Sequence, residues 1–103
     1  MKVYIGSDNL LTVEGLYDLV AADYVNTASS VTAKMYAIAD QSTQIGDTIT
    51  LTYVTDSNGN YQGTIPYDLS LSSGTEYIAV ITIVATARMT VKVRMDAVYA
   101  NES

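Results

Sequence analysis

The chain contains no cysteine and no histidine. The first absence removes disulfides, thiolate metal ligands and thiol nucleophiles, and the second removes the commonest general base and metal ligand. Without histidine, none of Ser57, Ser70, Ser72 and Ser73 can belong to a Ser-His-Asp nucleophile, and no glycine-rich stretch has phosphate-loop spacing. No catalytic residue, cofactor or metal site is assigned. Phenylalanine and tryptophan are also missing, whereas tyrosine occurs nine times, so every aromatic ring carries a hydroxyl that needs a partner when buried. Basic residues are scarce: five Lys and Arg stand against eleven Asp and Glu, a net charge of -6. That balance repels phosphates and anionic lipid surfaces, so neither nucleic acid nor membrane is an expected partner. Long apolar runs are lacking too. The longest, Tyr77 to Ala85, is interrupted by Thr82 and falls far short of the roughly 20 residues of a membrane helix. Near the start, Gly6, Ser7, Asp8 and Asn9 interrupt any apolar region of a secretory signal, so cytoplasmic synthesis without a signal peptide is expected.

What is present reads as strands. The 103 residues suit a single domain, 1–103, with one two-layer core. The strongest local signal is Ile49 to Pro66, where Ile49, Leu51 and Tyr53 alternate with Thr50, Thr52 and Val54, and Tyr61, Gly63 and Ile65 repeat the period on the return. Between the arms, Asn58-Gly59 tolerates positive φ at both central positions and predicts a type I′ hairpin turn with Tyr61 directed inward. Pro66 ends the ladder. Further strands are expected around Val3 and Ile5, from Leu11 through Val13 toward Gly15 and Tyr17, over Val31 to Ala39, over Thr75 to Thr86 and over Thr90 to Tyr99. A short helix from Tyr17 to Tyr24 competes with the second of these. Gln41 to Asp47 reads as a polar loop, Tyr67 to Ser73 as a connection, and Ala87-Arg88-Met89 as the joint of the last two strands. About seven strands with turns every 8–12 residues is the pattern of an all-β antiparallel sandwich.

Candidate sites are few. Asp56-Ser57-Asn58-Gly59-Asn60 offers oxygen ligands, but Gly59 stands fourth from Asp56 where a calcium loop needs it sixth, and Tyr67 takes the place of the bidentate acid. Asp8, Asp18, Asp23, Asp56 and Asp68 have no spacing that demands a general acid/base pair, and solvated loop charge accounts for them. Tyr53, Tyr61 and Tyr77 are in phase with the core, while Tyr4, Tyr36 and Tyr67 are better placed for contacts. The strand from Thr75 to Thr86 is apolar on both faces. With Tyr77, Ala79, Ile81 and Ile83 inside, Ile78, Val80 and Val84 form an outward stripe, which a loop lid over Ala21 to Asn26 or a partner would have to cover. Arg88, Lys92 and Arg94 put a positive stripe on the neighbouring segment of an acidic chain. These six residues are the candidate interface; Asn58 and Gly59 are the structural turn.

Thr55-Asp56-Ser57-Asn58-Gly59-Asn60-Tyr61, followed by Gly74-Thr75-Glu76-Tyr77, resembles carboxypeptidase regulatory-like and transthyretin-like β-sandwiches, and Leu11 to Leu16 and Ala28 to Ala33 fit the first strands of that pattern. A closer similarity is to small proteins of tailed phages and prophages, carried by Leu11-Thr12-Val13-Glu14-Gly15-Leu16, the stretch from Leu51 to Gly63, and Gly74 to Tyr77. The resemblance implies an immunoglobulin-like or transthyretin-like sandwich. It implies a non-enzymatic virion protein for head decoration or head-to-tail joining, made in the host cytoplasm and contacting other virion proteins and copies of itself. The alternative is an accessory module binding a ligand such as carbohydrate, which needs exposed, coplanar aromatic rings. A carboxylate-based hydrolase is a weaker third reading. Because the Asp56 turn lacks the glycine position and the bidentate acid, excess chelator should leave the melting temperature unchanged; a fall of several degrees would contradict this reading of the turn.

Overall fold

Valine, isoleucine and threonine in period-two alternation form pleated strands where one face can be buried. In the structure, a computed structural model that describes residues 1–85 and 88–99, the described residues contain ten strands and no helix. In chain order these are β1 (Lys2–Tyr4), β2 (Asn9–Val13), β3 (Tyr17–Asp18), β4 (Asp23–Tyr24), β5 (Ser30–Ala37), β6 (Asp40–Thr50), β7 (Thr52–Tyr53), β8 (Tyr61–Ile65), β9 (Glu76–Val84) and β10 (Arg88–Val98). The larger sheet has the order β1-β10-β9-β5-β6 and the smaller β2-β8-β7, while β3 and β4 pair only with each other. Pairing is antiparallel except at β1, which runs parallel to β10 with Val3 beside Ala97. The chain is thus all-β and sandwich-like, and the described residues form more strands than the expected seven, four of them only two or three residues long.

Alternation decides what goes inside. Val31, Ala33 and Met35 of β5, Tyr77, Ala79, Ile81 and Ile83 of β9, and Met95 and Ala97 of β10 are buried in one cluster with Leu11 and Val13 of β2 and Tyr61 and Ile65 of β8. Tyr61 points inward as its phase requires, and its hydroxyl donates to the Val25 carbonyl (2.8 Å) and accepts from the Ala28 amide (3.2 Å). The Tyr77 hydroxyl likewise accepts from the Ser72 amide at 2.8 Å. Phenylalanine in these places would pack but leave the loops untied.

The rising arm of the expected hairpin belongs to both sheets. Ile49 lies opposite Ala33 in the larger sheet, the Leu51 amide donates to the Val31 carbonyl at 2.9 Å, and Thr52 and Tyr53 then pair with Gln62 and Tyr61 in the smaller sheet. Gly63 of β8 lies against this crossing, where a Cβ would fall 2.7 Å from the Thr50 carbonyl oxygen and 3.2 Å from Ile49 Cγ2. The hairpin is real, but its type I′ turn is not. The Val54 amide still pairs with the Asn60 carbonyl at 2.8 Å, so residues 55–59 form the loop, and positive φ falls at Asp56 and Gly59 but not at Asn58. The Ser57 amide and hydroxyl both donate to the Val54 carbonyl (3.1 and 2.6 Å), and the Tyr53 hydroxyl donates to the Ser57 carbonyl. Meanwhile the Gly59 carbonyl accepts from the Leu16 amide at 2.9 Å and the Asn60 side chain from the Gly15 amide at 2.8 Å. Contacts to distant residues outweigh the local preference of Asn-Gly.

Other boundaries also differ. Gln41 to Asp47 is not a loop but most of β6, an exposed edge strand whose polar composition suits an edge. Register shifts against β5 and the positive φ of Gly46, which sits beneath the Leu69 side chain, hide its alternation. At its start the Asp40 carboxylate accepts from the Ser42 hydroxyl (2.6 Å) and amide (3.1 Å), which hold its pKa below the ordinary value. β2 ends at Val13 and never reaches Tyr17, and the segment from Tyr17 to Tyr24 is a hairpin, not a helix. Arg88 and Met89 already belong to β10, while the rest of the expected joint, with Thr86, lies outside the described residues.

Gly59 and Gly74 separate two effects of a side chain. Both have positive φ, but a Cβ at Gly59 would fall 2.4 Å from the Leu16 carbonyl oxygen, whereas one at Gly74 would meet nothing within 4 Å. Gly74→Ala should cost about 1–2 kcal/mol from the left-handed backbone alone. Gly59→Ala should cost about 3 kcal/mol or more, since backbone must also move. Equal losses in denaturant unfolding would contradict the close approach.

Candidate interaction surface

In β9, the central strand of the larger sheet, the residues between the core positions face outward and have cross-strand neighbours on both sides. Ile78 is in register with Tyr36 and Arg94, Val80 with Lys34 and Lys92, Thr82 with Thr32 and Thr90, and Val84 with Ser30 and Arg88. Directly opposed side chains start about 4.5–5.5 Å apart, so long neighbours can lay their stems over a shorter apolar one. Ile78 is accordingly buried at 7% exposure, and Val80 and Val84 are half-buried. The expected stripe therefore narrows to Val80 and Val84, because Tyr36 and Arg94 flank Ile78. The expected lid, Ala21 to Asn26, is exposed apart from Val25 and borders the stripe at its Val84 end, where Ala21, Asp23 and Tyr24 share a shallow depression with Ala85.

The same face gathers the cations. Lys34 lies on β5 and Arg88, Lys92 and Arg94 on β10, all exposed, while Lys2 of β1 stands beside Asp96. With inward and outward positions alternating, all five Lys and Arg of the chain lie on the outer face of one sheet. Toward the β1 end they meet carboxylates: Arg94 bridges Glu76 at 2.8 Å, with both side chains more than half exposed, so the pair contributes little stability. From Val80 to Val84 the registered positions of β5, β9 and β10 hold Lys34, Lys92 and Arg88 and no acid.

The opposite character is found at the end of the molecule built by residues 14–30 and 54–61. No Lys or Arg occurs in either segment, which carry Glu14, Asp18, Asp23 and Asp56. The Leu16 amide donates to the Gly59 carbonyl (2.9 Å), the Gly15 amide to the Asn60 side chain (2.8 Å) and the Gly59 amide to the Asn26 side chain (2.8 Å), tying the two segments together, while the Val25 amide donates to the Leu16 carbonyl (2.9 Å) within the first. From this base projects the β3-β4 hairpin. Asp18, 4% exposed, accepts the Val20 amide at 2.8 Å and the Ala21 amide at 3.2 Å. The turn so held, with Ala22 at positive φ, presents Leu19 at 88% and Val20 at 78% exposure. Tyr17 and Tyr24 pack edge to face at its base, centroids 5.4 Å apart and planes at 90°. They are perpendicular, not the coplanar platform that a stacked sugar needs.

Sequence reasoning missed this hairpin, since the segment from Ala21 to Asn26 has no strand or turn pattern. The available signal was Leu19-Val20 between two aspartates. Of the candidate carboxylates, Asp18 and Asp23 are cross-strand partners beside a shallow depression; Asp18 accepts the turn amides of Val20 and Ala21, and Asp23 accepts the amide of the adjacent Tyr24. Asp8 accepts the Tyr67 amide at 2.8 Å. Tyr67 is exposed, whereas Tyr4 and Tyr36 are half-buried. Asn58 is exposed and Gly59 buried. Among the described residues no three acidic groups converge as a metal site, and no helix is long and apolar enough to cross a membrane. No protein-family model, curated protein or solved structure matches the chain.

Asp18→Ala should cost about 1–2 kcal/mol through loss of charge-assisted bonds, and amide exchange at Val20 and Ala21 should accelerate. Unchanged exchange at both amides would contradict the role given to this carboxylate.

Proposed function

We propose that the chain is a non-enzymatic structural module that works through protein–protein contacts on the outer face of its larger sheet, as a head-decoration or head-to-tail joining protein of a tailed-phage particle. The observation that carries the docking role is the placement of Val80 and Val84 among Lys34, Arg88 and Lys92. Partly covered apolar surface ringed by cations is suited to an acidic protein partner, with apolar burial giving strength and charge giving orientation. The phage setting rests on the resemblance at Leu11 to Leu16, Leu51 to Gly63 and Gly74 to Tyr77. The strand order supports an immunoglobulin-like over a transthyretin-like sandwich. β10-β9-β5-β6 facing β2-β8-β7 matches the G-F-C-C′ and B-E-D strands of a variable-type immunoglobulin domain. The disulfide and tryptophan of antibody domains have no counterpart, as the chain has neither residue.

Val80→Glu tests the docking face. The new carboxylate would stand between Lys34 and Lys92, so the fold should survive with circular dichroism unchanged and stability altered by no more than about 1 kcal/mol. Light scattering should report lost assembly. An assembled state that the substitution leaves untouched, or a mutant that simply unfolds, would refute the assignment of this face.

A further inference from the structure

We infer that the occupant of this face is a second copy of the chain, docked head to tail through its β3-β4 hairpin. The inference rests on the docking face proposed above and adds the partner and its orientation. The two surfaces are complementary in both components. One offers half-buried Val80 and Val84 beside Lys34, Lys92 and Arg88; the other offers exposed Leu19 and Val20 with Asp23 on the same hairpin, on an end bearing Glu14 and Asp56 and no Lys or Arg.

Charge selects the geometry. Two sheet faces meeting over their Val80 to Val84 regions would set Lys34, Lys92 and Arg88 against their own copies, and two hairpin ends would oppose carboxylates to carboxylates. Like charges brought together and stripped of water are costly. At a net charge of -6 two copies also repel at long range, and an orientation that pairs the basic face with the acidic, cation-free end offsets that repulsion. Such a contact uses different surfaces on the two partners and propagates, giving rings when the rotation closes and filaments when it does not.

The hairpin is suited to this role because it is ordered before contact. The buried Asp18 carboxylate holds the turn, the Tyr17–Tyr24 pair braces its base, and the Leu16 and Gly59 backbones fix it to the body. Presenting Leu19 and Val20 therefore requires little ordering on association.

The experiment is sedimentation velocity on wild type, Val80→Glu, Leu19→Lys and an equimolar mixture of the two variants. Val80→Glu disables the face and keeps the hairpin; Leu19→Lys does the reverse. The expected result is a concentration-dependent series for wild type that dissolves at high salt, monomer for each variant alone, and a heterodimer from the mixture that grows no further. A wild type that stays monomeric at all concentrations, or a mixture without a heterodimer, overturns the inference. If Val80→Glu abolishes association and Leu19→Lys does not, the docking face stands and the head-to-tail partner is wrong. Capture of an unrelated acidic protein by the face with no self-association would also overturn it. Circular dichroism of both variants distinguishes lost contact from lost fold, and Leu19→Ser, which adds no charge, should weaken the assembly less than Leu19→Lys.

Discussion

The passage of the chain between its two sheets at residues 49–53 is the constraint on which the remaining structure depends. Ile49 is still paired in the larger sheet, while Thr52 and Tyr53 are already paired in the smaller one, so the backbone at Thr50 and Leu51 fixes how the sheets meet. Gly63 lets β8 lie against that backbone, and any side chain there would push the smaller sheet outward. Once β8 is placed, the Tyr61 hydroxyl reaches Val25 and Ala28, and the loop from 55 to 59 meets Leu16. The base of the β3-β4 hairpin is therefore positioned by the same crossing that closes the core.

Charge is distributed by the same geometry. β9 is central in its sheet and apolar on both faces; its inner face packs on the smaller sheet, while among the described residues no strand of another sheet pairs over its outer face. Tyr36 on β5 and Arg94 on β10 stand in register on either side of Ile78, long enough to cover it, and Ile78 is buried. That cover fades toward Val84, where Ser30 is too short to cover a neighbour. A chain with few cations thus places all of them on the sheet face where β9 turns its partly covered apolar residues outward. The turns and the β3-β4 hairpin are left acidic, and the result is a strongly polarised surface on a small protein.

Period-two alternation made the core legible from the sequence. Val31, Ala33, Met35, Tyr77, Ala79, Ile81, Ile83, Met95 and Ala97 lie inside because each strand has one phase that can be buried. What the pattern could not supply depends on residues far apart in the chain. Gln41 to Asp47 has the composition of a loop because an edge strand with bulges is exposed and irregular. Asn58-Gly59 has strong local turn chemistry, yet Leu16 and Asn26 draw Gly59 into a different loop. The outward phase of Ile78 was legible, but its burial required knowing that Tyr36 and Arg94 flank it. At the hairpin, Asp18 looks like any surface aspartate until its burial and bonded amides are seen.

The central claim is that one face of the larger sheet and one hairpin tip, far apart in character, are two halves of a single contact. Methyl resonances report it directly, because Leu19, Val20, Val80 and Val84 carry the proposed contact while Leu11 and Ile81 lie in the core. When the protein concentration is raised at low salt, the account predicts that the four contact methyl groups shift together along one binding curve, that the core methyls stay in place, and that added salt reverses the change. Shifts at Val80 and Val84 without Leu19 and Val20, or none at any of the four, would contradict it.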